Sequence, residues 1–116
     1  MTTKFSMTRD INGYNGFGLE FSDTNYSATL TVGAAQSLVV PGISTTTTYL
    51  AVFSYEPGTS IWVANNDTAA VPVAASFGAT TSELNPAARK VKFGDTLSFI
   101  TNDTTAEVGV SFYGLT

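Results

Sequence analysis

Thr45-Thr46-Thr47-Thr48-Tyr49-Leu50-Ala51-Val52-Phe53-Ser54-Tyr55, then Glu56-Pro57-Gly58-Thr59, then Ser60-Ile61-Trp62-Val63-Ala64-Asn65 is the stretch whose reading decides the fold. The first run is β-branched and aromatic, and it is long enough for a central strand. Proline followed by glycine suits the two middle positions of a type II turn, so the spacing predicts a hairpin with residues 60–65 as the returning strand. Phe53 and Tyr55 share one face of the first strand. On the second, Ile61 and Val63 oppose Trp62, so if the two aliphatics face inward the indole faces outward. An outward Trp on a sheet is a protein-contact anchor or a sugar-stacking platform. A register slipped by one residue makes it a core residue instead.

A period of two continues on both sides of this stretch. Upstream, Phe17, Leu19 and Phe21 alternate with polar or small residues, residues 22–25 supply a turn, and Tyr26, Ala28, Leu30 and Val32 alternate in turn. This is the pattern of a half-buried strand pair. A Gly33-Ala34-Ala35 break leads to a strand over 36–40, stopped by Pro41-Gly42. Downstream, Pro72 demotes residues 69–77 to an edge or a loop. Residues 80–90 hold one plausible helical turn, Ser82-Glu83-Leu84, but Asn85-Pro86 disfavours helix and an extended loop is expected. Residues 91–93, 96–101 and 107–113 read as strands, with turns at Gly94-Asp95 and at Asn102-Asp103-Thr104-Thr105.

About eight short antiparallel strands, spaced by roughly 8–12 residues with almost no helix, predict an all-β, single-domain β-sandwich. Strand number and length fit a jelly-roll-like arrangement best, with an immunoglobulin-like sandwich second, weakened by the missing cysteine pair. Residues 17–116 form the expected sandwich domain. Residues 1–16 read as an N-terminal arm or edge segment, either a terminus or first edge strand, or an arm that packs on a neighbouring subunit. In the second case Phe5, Tyr14 and Phe17 are its anchors.

Composition narrows the function classes. The 116 residues, 12.2 kDa in mass, suffice for one domain and one core. Apolar residues are 43% and charged residues only 12%, about half the ~25% usual for soluble domains. Hydroxyls and small residues replace the missing charge, which suits a surface that ends up against other subunits. No Cys is present, which excludes disulfides, thiolate metal sites and cysteine nucleophiles. No His is present either, removing the commonest general base and the usual zinc ligand. A net charge of −4 and five basic residues argue against nucleic acid as a partner. No apolar run approaches the ~20 residues of a membrane span. Met1-Thr2-Thr3-Lys4-Phe5-Ser6 has no apolar signal-peptide core, so synthesis in a cytoplasm without export by that route is expected.

No constellation carries chemistry, and the expectation is a chain that is not an enzyme and has no cofactor or metal. Most of the nine carboxylates fall in predicted turns: Asp10, Asp23, Glu56, Asp67, Asp95 and Asp103. Glu20 and Glu107 are placed outward on strands, so no facing acid–base pair is formed. A serine nucleophile has only lysines for a base, and Lys4, Lys90 and Lys92 sit in loops or on polar faces. Asp23, Asn25, Asn65, Asn66, Asp67, Asn102 and Asp103 are hard oxygen donors of the type calcium takes, but Asx residues are favoured in turns regardless and no EF-hand spacing exists. Arg89-Lys90-Val91-Lys92 holds three of the five basic residues. It reads as a charged edge that discourages strand-to-strand aggregation, or as a docking strip for an acidic partner.

The second half of the chain resembles small virion proteins encoded in the structural-gene regions of tailed bacteriophages. The resembling stretch runs from Tyr55-Glu56-Pro57-Gly58-Thr59-Ser60-Ile61-Trp62-Val63-Ala64 through Thr81-Ser82-Glu83-Leu84-Asn85-Pro86-Ala87-Ala88-Arg89. It continues with Val91-Lys92-Phe93-Gly94-Asp95-Thr96-Leu97-Ser98-Phe99 and ends at Val108-Gly109-Val110-Ser111-Phe112-Tyr113. It covers about half the chain, contains no catalytic signature, and transfers no site residues. The resemblance implies a capsid decoration (cement) protein in the virion, a homo-oligomer, as a trimer, bound to the major capsid protein. The alternative is a receptor- or glycan-binding module at a fibre or tail tip, using Trp62 or loop aromatics such as Tyr14 and Tyr26 for stacking. In either case the partner-contact residues are Phe5, Tyr14, Phe17 and Trp62.

Overall fold

The computed structural model describes residues 3–6, 8–9, 11–12, 15–16, 20–42, 48–73 and 76–115. Ten strands follow in order: β1 (Thr8–Arg9), β2 (Asn15–Gly16), β3 (Asn25–Thr31), β4 (Gln36–Val39), β5 (Thr48–Tyr55), β6 (Ile61–Asn65), β7 (Glu83–Leu84), β8 (Ala88–Lys92), β9 (Thr96–Thr101) and β10 (Thr105–Gly114). Among the described residues, β1 and β2 pair only with each other. The other eight make two four-stranded sheets, ordered β3-β10-β5-β8 and β4-β9-β6-β7. Every pairing between strands is antiparallel. From β3 to β10 the chain switches sheets at each connection except β6 to β7, which gives the sandwich its jelly-roll-like order.

The core lies between the sheets and follows the alternation that the sequence predicts. Tyr49, Ala51 and Phe53 of β5 point inward, as do Val108, Val110 and Phe112 of β10. Ile61 and Val63 face them from β6, and Leu97 and Phe99 from β9. Edge-to-face contacts link Phe112 to Tyr49 at 6.5 Å and Phe53 to Phe99 at 6.1 Å between ring centroids. Such pairs add to the area they bury. β9 is buried on both faces, because residues 66–71 cross its outer side and the Ala69 N–H donates to Ser98 Oγ at 2.9 Å.

Three sequence expectations are corrected. The turn at Glu56-Pro57-Gly58-Thr59 forms, with Gly58 at φ 80° and the Thr59 N–H donating to Glu56 O at 3.2 Å. It does not close a hairpin: β5 pairs with β10 and β8, whereas β6 pairs with β9 and β7 in the opposite sheet. A tight turn and a period of two fix a reversal and an inner face, and both are equally satisfied by an arch between sheets. Second, residues 20–24 are not strand, and Phe21 is fully exposed rather than inward. Glu20 therefore does not lie on a strand. Third, the expected extended loop over 80–90 contains β7 and the start of β8 at the sheet edges; Ser82-Glu83-Leu84 is extended, as the reading against helix there expects. Asn85-Pro86 marks a break in the chain but does not report that the residues on either side of it add to sheet edges.

Candidate interaction surface

Of the four contact residues expected from sequence, two are described. Phe5 is half-buried, and its N–H donates to Gly114 O at 3.0 Å, while the Gly114 N–H donates to Thr3 O at 2.8 Å. Residues 3–5 thus extend the line of β3 along β10, beyond the Ser111–Asn25 pair where β3 stops. Thr3 and Asp23 secure this segment reciprocally: the Thr3 N–H donates to Asp23 Oδ1 at 2.9 Å and the Asp23 N–H to Thr3 Oγ1 at 3.0 Å. The Thr3 amide is the main reason the Asp23 carboxyl is held below its ordinary value. Tyr14 and Phe17 lie outside the described residues.

Trp62 lies on the outer face of β6, paired with Leu84 on one side and Ile100 on the other. Its ring is half-buried against a satellite cluster of Ala64, Ala69 and Ile100 with Val71 beside it. The chain after β6 folds back over this face, so the indole is packed beneath a segment of its own chain.

Among the described residues, the most exposed large apolar groups are elsewhere. Ile11, Phe21, Val73 and Phe77 are all fully exposed. Ile11 and Phe21 belong to the N-terminal segment, and Val73 and Phe77 to the connection between β6 and β7, which carries no charged residue from Thr68 through Thr81. Sequence reading placed residues 69–77 in an edge or loop and Phe21 on a strand. A large aromatic in a loop without charge was the signal that could have singled out Phe77.

One opening in the sandwich faces outward between the edge strands β3 and β4. It has a volume of about 190 Å³ and is lined by Ala28, Leu30, Leu38, Phe99, Val108 and Val110, with Tyr26, Ser27, Gln36, Ser37 and Gly109 completing it. No lining residue is charged. Gln36 closes one end, its Nε2 donating to Thr29 O at 3.0 Å.

The opposite edges, β7 and β8, are polar. Arg89 Nε donates to Glu83 Oε2 at 2.7 Å, joining the two sheets across the open side. Lys90 and Lys92 are exposed on β8. Tyr55 Oη donates to Pro86 O at 2.5 Å on this side, and burial pushes its phenol above the ordinary value, with Arg89 opposing and Glu83 adding to the shift.

Six of the seven Asx residues weighed for calcium, all but Asn102, have structural hydrogen-bond roles. Asp95 accepts from Asn65 Nδ2 at 3.2 Å, Asn66 Nδ2 at 3.1 Å and the Lys92 N–H at 2.9 Å. Burial works against its charge, but these bonds and the Lys92 ammonium outweigh it and keep the carboxyl below its ordinary value. Asp103 accepts from the Ser60 N–H at 2.8 Å, and Asp67 from the Thr68 N–H and from Thr81 Oγ1, each at 2.8 Å. Among the described residues, no three His, Cys, Asp or Glu side chains gather as metal ligands. In comparison with known proteins, the chain matches no family model, no curated protein and no solved structure.

Proposed function

We propose that this chain is a structural protein of a tailed-bacteriophage virion, a non-enzymatic capsid decoration protein that stabilises the head shell. It works as a homotrimer made in the host cytoplasm and contacts its own copies and the major capsid protein, without nucleic acid, membrane or cofactor. The observation that carries this reading is the full exposure of Phe21 and Phe77, with Ile11 and Val73, on a surface of unusually low charge. Large apolar groups left outside a well-filled sandwich mark surfaces that other protein covers. Depletion of charge with retention of aromatics is the compositional mark of interface cores. Cementing tolerates weak single contacts, because many symmetric copies engage one lattice.

Two measurements test this. Light scattering of the purified chain at two concentrations is expected to give three times 12.2 kDa, and a monomer at both removes the pre-assembled trimer. Co-sedimentation with heads of the encoding phage that lack the protein should saturate at lattice copy number. Binding to host cells in few copies, with no binding to heads, would instead support the receptor- or glycan-binding alternative. Trp62 offers that alternative little, because its ring is already half-covered by the segment around Ala69 and Val71.

A further inference from the structure

We propose that Phe77 of one copy seats in the opening between β3 and β4 of the next, with the backbone around Phe77 adding to the β3 edge, so that copies join head to tail. This names the contact and rests on the reading that the chain self-assembles.

Size and chemistry choose the occupant. At about 190 Å³ the opening falls below the roughly 300–1,000 Å³ of small-molecule sites, which leaves room for one side chain. Its walls are mainly aliphatic and aromatic, with Ser27, Gln36 and Ser37 as polar side chains and no charge, so a charged group entering it would lose its hydration without a counter-charge. Phe77 is a large apolar ring unused by its own fold, in the uncharged stretch from Thr68 to Thr81. Phe21 is equally exposed, but Glu20 and Asp23 flank it and would be drawn to the apolar rim.

The rim supplies the second half of the contact. The Phe112 N–H donates to Thr24 O at 3.0 Å and the Val32 N–H to Thr104 O at 3.3 Å, which brackets β3. Antiparallel pairing alternates, so the even-numbered residues of β3 turn their backbone groups to β10 and the odd-numbered ones turn theirs outward. Thr29 O is taken by Gln36. The outward groups of Asn25 and Ser27 have no backbone partner among the described residues, and Ser27 lines the opening. Residues 77–80 have no secondary structure of their own and can supply the missing strand. Main-chain bonds along an edge, with a pocket for one side chain, are the parts of strand addition. A knob and a hole on different surfaces make a heterologous contact, which closes into a ring when the rotation allows.

The test is sedimentation velocity of the full chain and four variants. Phe77→Ser and Ala28→Phe, which fills the opening, should each weaken association at least tenfold. Ser27→Pro should do the same, because it removes an outward N–H without touching the β10 ladder, and it replaces Ala28→Phe if that variant fails to fold. Phe21→Ser should behave as wild type. The decisive result is the mixture: Phe77→Ser with a hole-side variant retains one intact contact and should give dimers and nothing larger. Wild-type mass for Phe77→Ser, dissociation by Phe21→Ser instead, or a mixture that stays monomeric while circular dichroism shows both variants folded, overturns the inference. A wild type that is monomeric throughout removes the self-assembly reading as well. An oligomer indifferent to Phe77 removes only this contact.

Discussion

Asn85 holds its backbone at φ 43° and makes three bonds to the start of β6. Its N–H donates to Ile61 O at 2.8 Å, its Oδ1 accepts the Ile61 N–H at 2.8 Å, and its Nδ2 reaches Thr59 O at 3.1 Å. The side chain imitates a strand partner where β7 has ended. Asn85→Ala loses both side-chain bonds and places a Cβ residue without local hydrogen bonding in the left-handed region, so a loss of about 1–3 kcal/mol in urea unfolding is expected. Gly42 is constrained differently: a Cβ there would lie 2.7 Å from Cζ of the fully buried Tyr49. Gly42→Ala should cost about 1–3 kcal/mol, the usual range for overpacking, and a urea midpoint unchanged from wild type would disprove the contact. Neither role was legible in the sequence. Asn85-Pro86 and Pro41-Gly42 read only as places where a helix or strand stops, because a turn signal names the local backbone and not its distant partner.

Between β8 and β9, the turn at Gly94-Asp95 joins both sheets to the loop after β6. Asp95 collects the Lys92 amide and two Asn side chains, and Thr96 in turn donates its N–H to Asn66 Oδ1 at 3.0 Å. Because its folded pKa lies below the ordinary value of 3.8, Asp95 contributes stability that is complete above that value and is lost as pH falls through the folded pKa. Unfolding measured from pH 5 downward, over a range of roughly three units, should therefore decline less steeply in Asp95→Asn than in wild type. The ion pair between Arg89 and Glu83 is half-exposed at both partners, so Arg89→Ala should change stability by less than about 1 kcal/mol. At this scale the sequence was a good guide to which residues are strands and a poor one to which strands pair. The run through Tyr55, the Pro57-Gly58 turn and Ile61–Asn65 were all legible, yet the two strands lie in opposite sheets. β8 spans Ala88–Lys92 rather than residues 91–93, because Asn85-Pro86 marks a break without saying where the next strand begins.

For the whole molecule, the all-β sandwich and its inward faces were legible because alternation reports burial directly. Phe21 was misplaced because alternation runs up to it although residues 20–24 are not strand. Phe5 and Trp62 were singled out by sequence, whereas the apolar opening needs β3 and β4 brought side by side, and no local pattern encodes that. β10 lies at the centre of its sheet, between β3 and β5. It is the last strand of the sandwich to be synthesised, and among the eight sandwich strands only β6 and β7 are sequence neighbours that also pair. A growing chain thus has almost no hairpin to form early, and loop closure must be met before pairing rewards it. Folding should be slow for the size of the domain, with a nucleus that includes β10. Substitutions such as Val110→Ala should then slow refolding, whereas Val63→Ala should mainly speed unfolding. β3 in particular has no partner strand until the final strand is made, and only then does the opening between β3 and β4, walled in part by Val108 and Val110, exist at all.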